Sequence, residues 1–293
     1  MLGRITVGLF FLLLVWGNLV AGLKAGLGCP DWPLCHGKVL PPFRLDIWME
    51  FMHRVIAAVA TLFLLLLCRK RIRDYRGLAK AVPLAAIGVV AVEIAMGGLV
   101  VLLELPVQLT TVHFMTGLIV FLLVFYMMSF DGVGETAGFS LRHFAGLFFA
   151  MGIFVFFQAA LGAYVRHSQA GLACPDFPTC MGEWIPPIYN WLVLVDLSHR
   201  VVACFIVLTG AVLYAATFLE AGLAKYRDTG LIFLALCLAQ FAVGVLVVRS
   251  GLSFMATAIH LALALGILSL LFQMWVRAVR DGRRTIHAEL HSK

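Results

Sequence analysis

Apolar positions in this chain collect into eight long runs, near 5–23, 47–68, 81–103, 107–129, 143–165, 191–217, 229–249 and 253–277. The short segments between them hold most of the charge. Each run approaches or exceeds the ~20 residues that a helix needs to cross the hydrocarbon core of a bilayer. Lipid offers backbone groups no hydrogen-bond partner, and these runs are too long for tilted barrel strands, so helices are the expected element. The pattern predicts an all-α membrane protein with eight transmembrane helices. Composition agrees: only 13% of residues are charged, against about 25% in a soluble domain. The first run is followed by Leu23-Lys24 and a cysteine-bearing loop, without a small-x-small site, so it is expected to remain as a span rather than to be cleaved as a signal peptide.

The runs also repeat. Residues 29–42 read CPDWPLCHGKVLPP and residues 174–187 read CPDFPTCMGEWIPP, at an offset of 145. His53-Arg54 recurs as His199-Arg200, and His113 as His260, at offsets of 146 and 147. A near-constant offset over such a distance marks a duplicated unit. The expected architecture is two pseudo-symmetric four-helix bundles, an N-terminal half over 1–130 and a C-terminal half over 131–293.

Charge placement predicts the orientation. Of the 22 Lys and Arg residues, 15 fall before run 1, between runs 2/3, 4/5 and 6/7, and after run 8. The other side carries Lys24, Lys38, Arg44, Arg166 and Arg249, while Arg54 and Arg200 lie inside runs. Positive charge collects on the cytoplasmic side, so both termini are expected inside a cell (inner) membrane, with the Cys loops outside. The cluster Arg69-Lys70-Arg71-Ile72-Arg73 reads as a topology anchor. Binding to nucleic acid is not expected.

Cys29/Cys35 and Cys174/Cys180 are each separated by five residues, two of them proline, on the side where disulfides persist. A structural disulfide in each loop and a redox-active dithiol pair both fit. Zinc is disfavoured, because thiolate sites use shorter spacers and four ligands. Cys68, Cys204 and Cys237 have no repeat partner and are expected to be buried small hydrophobes.

The histidines carry the chemistry. His53 and His113 each fall about six residues into an outside-to-inside run, ~9 Å below its outer end, and His199 and His260 come out at ~10–12 Å. Matched depth on parallel helices is what two axial ligands need to hold one flat macrocycle, as haem iron is held by facing helices. Of the rest, His36 and His167 lie in outer segments, His143 at a cytoplasmic end, and His287 and His291 in the tail. Glu50 and Asp196 precede His53 and His199 by three residues and share their helix faces. Ionisable groups inside a membrane are costly and are functional candidates by default. Arg54 and Arg200 could meet haem propionates or these two carboxylates. Glu93 aligns with Gln240, and Gly97 with Gly244, the glycines reading as close-packing positions.

Taken in order, the Cys-x5-Cys loop, Glu-x-x-His-Arg, His113, the second Cys-x5-Cys loop, Ser-His-Arg and His260 resemble the haem A synthase family, from Trp16 to about Trp275. The resemblance implies an oxidoreductase that turns haem O into haem A by oxidising a ring methyl to a formyl group through successive hydroxylations. It implies a cofactor haem b on His199 and His260, and substrate haem O at His53 and His113. Glu50 would stand beside the reacting ring, Cys29 and Cys35 would take part in activity, and Cys174–Cys180 would be structural. Expected partners are the lipid bilayer, haem O synthase, an unidentified electron donor and, as a candidate, a second copy of the chain. A di-haem cytochrome b passing electrons to quinone would use the histidines but leave the Cys loops and Glu50 without a role. A membrane thiol oxidase would use the loops and leave the histidines idle. Haem O synthase itself is disfavoured, because the helices lack the Asp-rich motifs that hold metal-pyrophosphate.

Overall fold

The structure is a computed structural model that describes residues 1–135, 139–187 and 190–291, with the backbone alone over 283–291. Among the described residues it is all helical, with eight helices long and apolar enough to cross a membrane. They are α1 (Leu2–Gly22), α2 (Leu45–Asp74), α3 (Ala81–Leu102), α4 (Val107–Ser129), α5 (Phe144–His167), α6 (Trp191–Leu219), α7 (Arg227–Arg249) and α8 (Phe254–His291). All eight expected runs are present. The side chains of His287 and His291 lie outside the described ones.

Two rings of four helices result. In the first, α1 packs on α2 and α4, and α3 packs on the same two; in the second, α5 and α7 each pack on α6 and α8. The rings meet where α1 and α4 touch α8, and where α4 touches α5. At the end of the rings opposite the Cys loops, Trp275 of α8 fills that seam. Its ring stacks among Tyr126, Phe130, Phe139, Phe149 and Phe272, and its indole N–H donates to Ser140 O at 3.0 Å. Each buried aromatic of this kind contributes area that lipid alone would leave loosely packed.

α2 runs past its apolar stretch into the basic cluster, and there the structure adds to the sequence reading. Arg71 is 4% exposed. Its guanidinium donates to Met127 O and Asp131 O and pairs with Asp74, so it caps the end of α4. A helix end leaves four carbonyls unsatisfied, and a cation placed there meets both their hydrogen-bonding need and the negative end of the dipole.

At the opposite end, both rings carry the same furniture. A long Cys loop joins α1 to α2 and α5 to α6, while four residues join α3 to α4 and α7 to α8. Those tight turns use paired left-handed residues, Glu104-Leu105 in one and Gly251-Leu252 in the other. The observed helix starts also refine the histidine depths. α2 begins at Leu45 and α6 at Trp191, where Asn190 caps Leu192 and Val193 N–H groups. His53 and His199 therefore lie about 12 Å down their helices, and His113 and His260 about 9 Å.

Candidate functional site

Each histidine ring rests on a glycine of the preceding helix. A Cβ built on Gly17 of α1 would come 3.1 Å from His53 Cε1, and one on Gly97 of α3 would come 3.2 Å from His113 Cε1. In the second ring the corresponding distances are 2.9 Å from Gly162 of α5 to His199, and 3.2 Å from Gly244 of α7 to His260. The 2.9 Å at Gly162 is shorter than real Cβ contacts, and the 3.1–3.2 Å at the other three is tighter than nine in ten of them, so the missing side chain is what lets each ring sit so close. Gly97 and Gly244 were legible as close-approach positions. Gly17 and Gly162 were not, although they share the repeat offset.

The fold brings the histidines together in pairs, His53 near enough to His113, and His199 to His260, for their charges to interact. All four Nδ1 atoms are buried without a hydrogen-bond partner, and His113 keeps 25% of its side chain open. His113 Nδ1 lies 3.2 Å from Glu93 Oε1 without the alignment of a hydrogen bond. Thr116 Oγ1 donates to the other oxygen of Glu93. At the equivalent place in the second ring, Gln240 Nε2 lies 3.2 Å from His260 Nε2. A buried polar atom left unpaired has a desolvation cost, and four at matching places are not an accident of packing.

What such a set could hold follows from its size. Among the described residues no group of three or more His, Cys, Asp or Glu is placed to hold a bare metal ion. Two imidazoles per ring are too few for a protein-only metal centre. They are the right number for an iron whose remaining positions come from a macrocycle.

Arg54 and Arg200 are taken up by the loops. Arg54 donates from Nη1 to Asp31 O at 2.7 Å and Leu34 O at 2.6 Å, from Nη2 to Cys29 O at 2.9 Å, and from Nε to Glu50 at 3.2 Å. Arg200 repeats the arrangement with Asp176 O, Thr179 O, Cys174 O and Asp196. Of the two partners open to these arginines in the sequence, the structure shows the carboxylates; the other contacts made by the two guanidinium groups go to backbone carbonyls, and Arg200 Nε is left buried without a partner. Glu50 is 6% exposed and Asp196 3%. The shorter Asp196 also accepts the Cys174 N–H at 3.2 Å.

The loops are closed by disulfides, Cys29–Cys35 and Cys174–Cys180, with Cα atoms 4.7 and 4.6 Å apart. Inside the first loop Asp31 accepts the N–H groups of His36 and Gly37; inside the second Asp176 accepts those of Met181 and Gly182 and the Thr179 hydroxyl. These donors hold both carboxyls below the ordinary range, Asp31 chiefly through Gly37 N–H, and Asp176, chiefly through Thr179, at about 2. Trp32 then folds the first loop onto α3: a Cβ on Gly98 would meet its ring at 3.0 Å. The loop thus touches the neighbours of both histidines of its ring, Arg54 beside His53 and Gly98 beside Gly97. Of the three remaining cysteines, Cys68 and Cys237 are buried, but Cys204 is exposed on the protein surface. The expectation of a buried Cys204 fails because an apolar thiol on a membrane helix is equally at home facing lipid.

Over residues 42–272 the chain matches the family described as cytochrome oxidase assembly protein. The chain belongs to that family. The matched stretch holds His53, His113, His199, His260, Glu50, Arg54, Arg200 and the second Cys loop, and begins at Pro42, past the Cys29–Cys35 pair. Relatives named "Heme A synthase" are similar over nearly the whole length. The protein of Symbiobacterium thermophilum is 29% identical over 94% of each chain, and that of Geobacillus thermodenitrificans 29% identical over 94% of this chain and 90% of its own. A third, from an Exiguobacterium species, is 30% identical over 73% of this chain and 71% of its own.

Proposed function

We propose that this chain is a haem A synthase, a multi-pass membrane oxidoreductase that converts haem O to haem A by oxidising one ring methyl to a formyl group. The observation that carries the reading is the pair of glycine-seated, nitrogen-orphaned histidine pairs, in a chain whose relatives bear that name. In this reading the half over 131–293 holds a haem b cofactor on His199 and His260, and the half over 1–130 takes haem O at His53 and His113. When bound, the haem b supplies the one-electron and oxygen chemistry that an unactivated methyl group requires.

The protein's own contribution is placement and proton handling. Gly17, Gly97, Gly162 and Gly244 fix how far each imidazole can retreat, and hence where its ring nitrogens point. Glu50, one helical turn before His53 and held by Arg54, keeps a carboxylate beside the first ring's histidine pair, where it takes or returns protons released as the methyl group is oxidised. Arg54 and the Cys29–Cys35 loop close the outer end and keep bulk water from it. In this reading both termini lie on the cytoplasmic side and the Cys loops outside, an orientation supported by the arginine and lysine distribution.

Pigment extraction from membranes of cells that make haem O and express this chain tests the proposal. Haem A appearing alongside haem b supports it. Haem b with unaltered haem O would instead mark a di-haem electron-transfer cytochrome.

A further inference from the structure

We infer that Arg166, with His167 beside it, forms a binding site for an anionic oxygen acid at the seam between the two rings, and that its ligand is a carboxylate side arm of the porphyrin held by His53 and His113. The inference rests on the haem reading above and goes beyond it by naming the residue that recognises the acid groups.

Seven cations lie toward the outer end of the fold: Lys24, Lys38, Arg44, Arg54, Arg166, Arg200 and Arg249. Lys24, Lys38 and Arg249 are exposed, and Arg44 is an exposed partner of Asp46. Arg54 and Arg200 are held by loop carbonyls and by Glu50 and Asp196, with only Arg200 Nε left without a partner. Arg166 differs from all of them. It is half-buried at the end of α5, and among the described residues no hydrogen bond or ion pair reaches its guanidinium. Its nitrogens stay open to the surface, and a planar fork of five donors with no protein acceptor matches a carboxylate in two-pronged fashion.

Its position crosses the seam. α5 belongs to the second ring, yet the Arg166 Nη2 atom would lie 3.1 Å from a Cβ on Gly22 of α1, in the first ring. That same Cβ would meet Phe254 Cβ of α8 at 2.8 Å, so Gly22 leaves room for the guanidinium where three helices converge. His167, half-buried and next in sequence, is close enough to both Arg166 and His113 for their charges to interact. The pair has no counterpart in the duplication: 145 residues earlier stand Ala21 and Gly22. The cation was therefore placed once, by the second ring, facing the first. A haem carries two carboxylates that need such a partner, and the first ring's own Arg54 is already spent on its loop.

The test titrates purified, haem-depleted full-length protein in lipid nanodiscs with haem and with its dimethyl ester, which lacks the free acids. The wild type should prefer the diacid, by on the order of tenfold, for the one of its two bound equivalents that His53→Ala also removes. Arg166→Gln should erase that preference without altering the other equivalent, and Arg166→Lys, which keeps the charge but loses the fork, should restore part of it. Equal binding of diacid and diester by the wild type overturns the inference even if Arg166→Gln cannot be purified, and so does an unchanged preference in Arg166→Gln. Repeating the titration in phosphatidylcholine with and without phosphatidylglycerol separates the other source of an oxyacid. If Arg166→Gln changes only the response to anionic lipid, the site belongs to a headgroup phosphate and the inference falls. Failure of the wild type to bind any porphyrin overturns the haem reading itself and this inference with it.

Discussion

Gly162→Ala isolates the seating of His199 from the stability of the helix that carries it. The added methyl would stand 2.9 Å from His199 Cε1, and ordinary contact begins near 3.4 Å, so the ring must retreat by about 0.5 Å. That is the whole tolerance within which a ligand set keeps its working geometry. Overpacking of this kind costs roughly 1–3 kcal/mol, while replacing a mid-helix glycine by alanine returns about 0.5–1 kcal/mol through backbone entropy. The net cost to the fold should thus be no more than about 2.5 kcal/mol, too small to unfold eight helices. Haem ligation has no such compensation, and its affinity should fall by roughly tenfold or more, with a shifted low-spin spectrum. Gly152→Ala is the control, on the same helix but with nothing within 4 Å of the new methyl; it should leave both readouts alone. Optical and electron paramagnetic resonance spectra, taken with a circular dichroism melt on each variant, decide the matter. A Gly162→Ala protein with native haem affinity and spectrum would refute the reasoning, as would equal losses in Gly152→Ala.

Glu50→Gln should keep the fold and haem b yet stall conversion, so that extracts contain haem O or a hydroxylated product in place of haem A. Arg54→Gln leaves three loop carbonyls and Glu50 short of a donor, and should destabilise the first loop by about 2–4 kcal/mol, seen as faster proteolysis between Cys29 and Cys35. Because Asp31 and Asp176 are held below their ordinary range, their stabilisation of the loops is complete above about pH 4 and is lost as pH falls through their folded values, about 2 for Asp176; Trp32 fluorescence followed as pH drops below about 4 should report the first loop loosening. Replacing Cys29 and Cys35 by alanine should lower haem A yield with little change in the melting temperature. The same change at Cys174 and Cys180 should first cost about 2 kcal/mol of local stability, and equal stability losses with activity tracking them would mark both bridges as structural.

The helices and loops were legible because lipid imposes one rule on every span, and because a duplicated chain states each motif twice. His53, His113, His199 and His260 stood out in the sequence by their repeat offsets and by matched depth, since rise per residue converts position in a helix to position in the bilayer. What escaped was whatever depends on which face of one helix meets which face of another. Gly17 and Gly162 look like any glycine in an apolar run until α1 and α5 are packed against α2 and α6. The proximity of Glu93 to His113 joins residues of separate helices, and no spacing along one strand of sequence encodes it. Arg54 and Arg200 were visible, but an arginine beside a histidine is equally consistent with reaching inward or upward; only the folded loop shows carbonyls within its range.

Each Cys loop is gripped from two sides by opposite charges, its N–H groups by an internal aspartate and its carbonyls by an arginine from the helix below. The backbone of the loop is therefore held at points other than the sulfur–sulfur bond it contains. In the first loop, opening that bond would release two thiols into a mould that stays set, still within reach of each other and ready to close again. A hinge that keeps its shape when unlatched can be worked repeatedly.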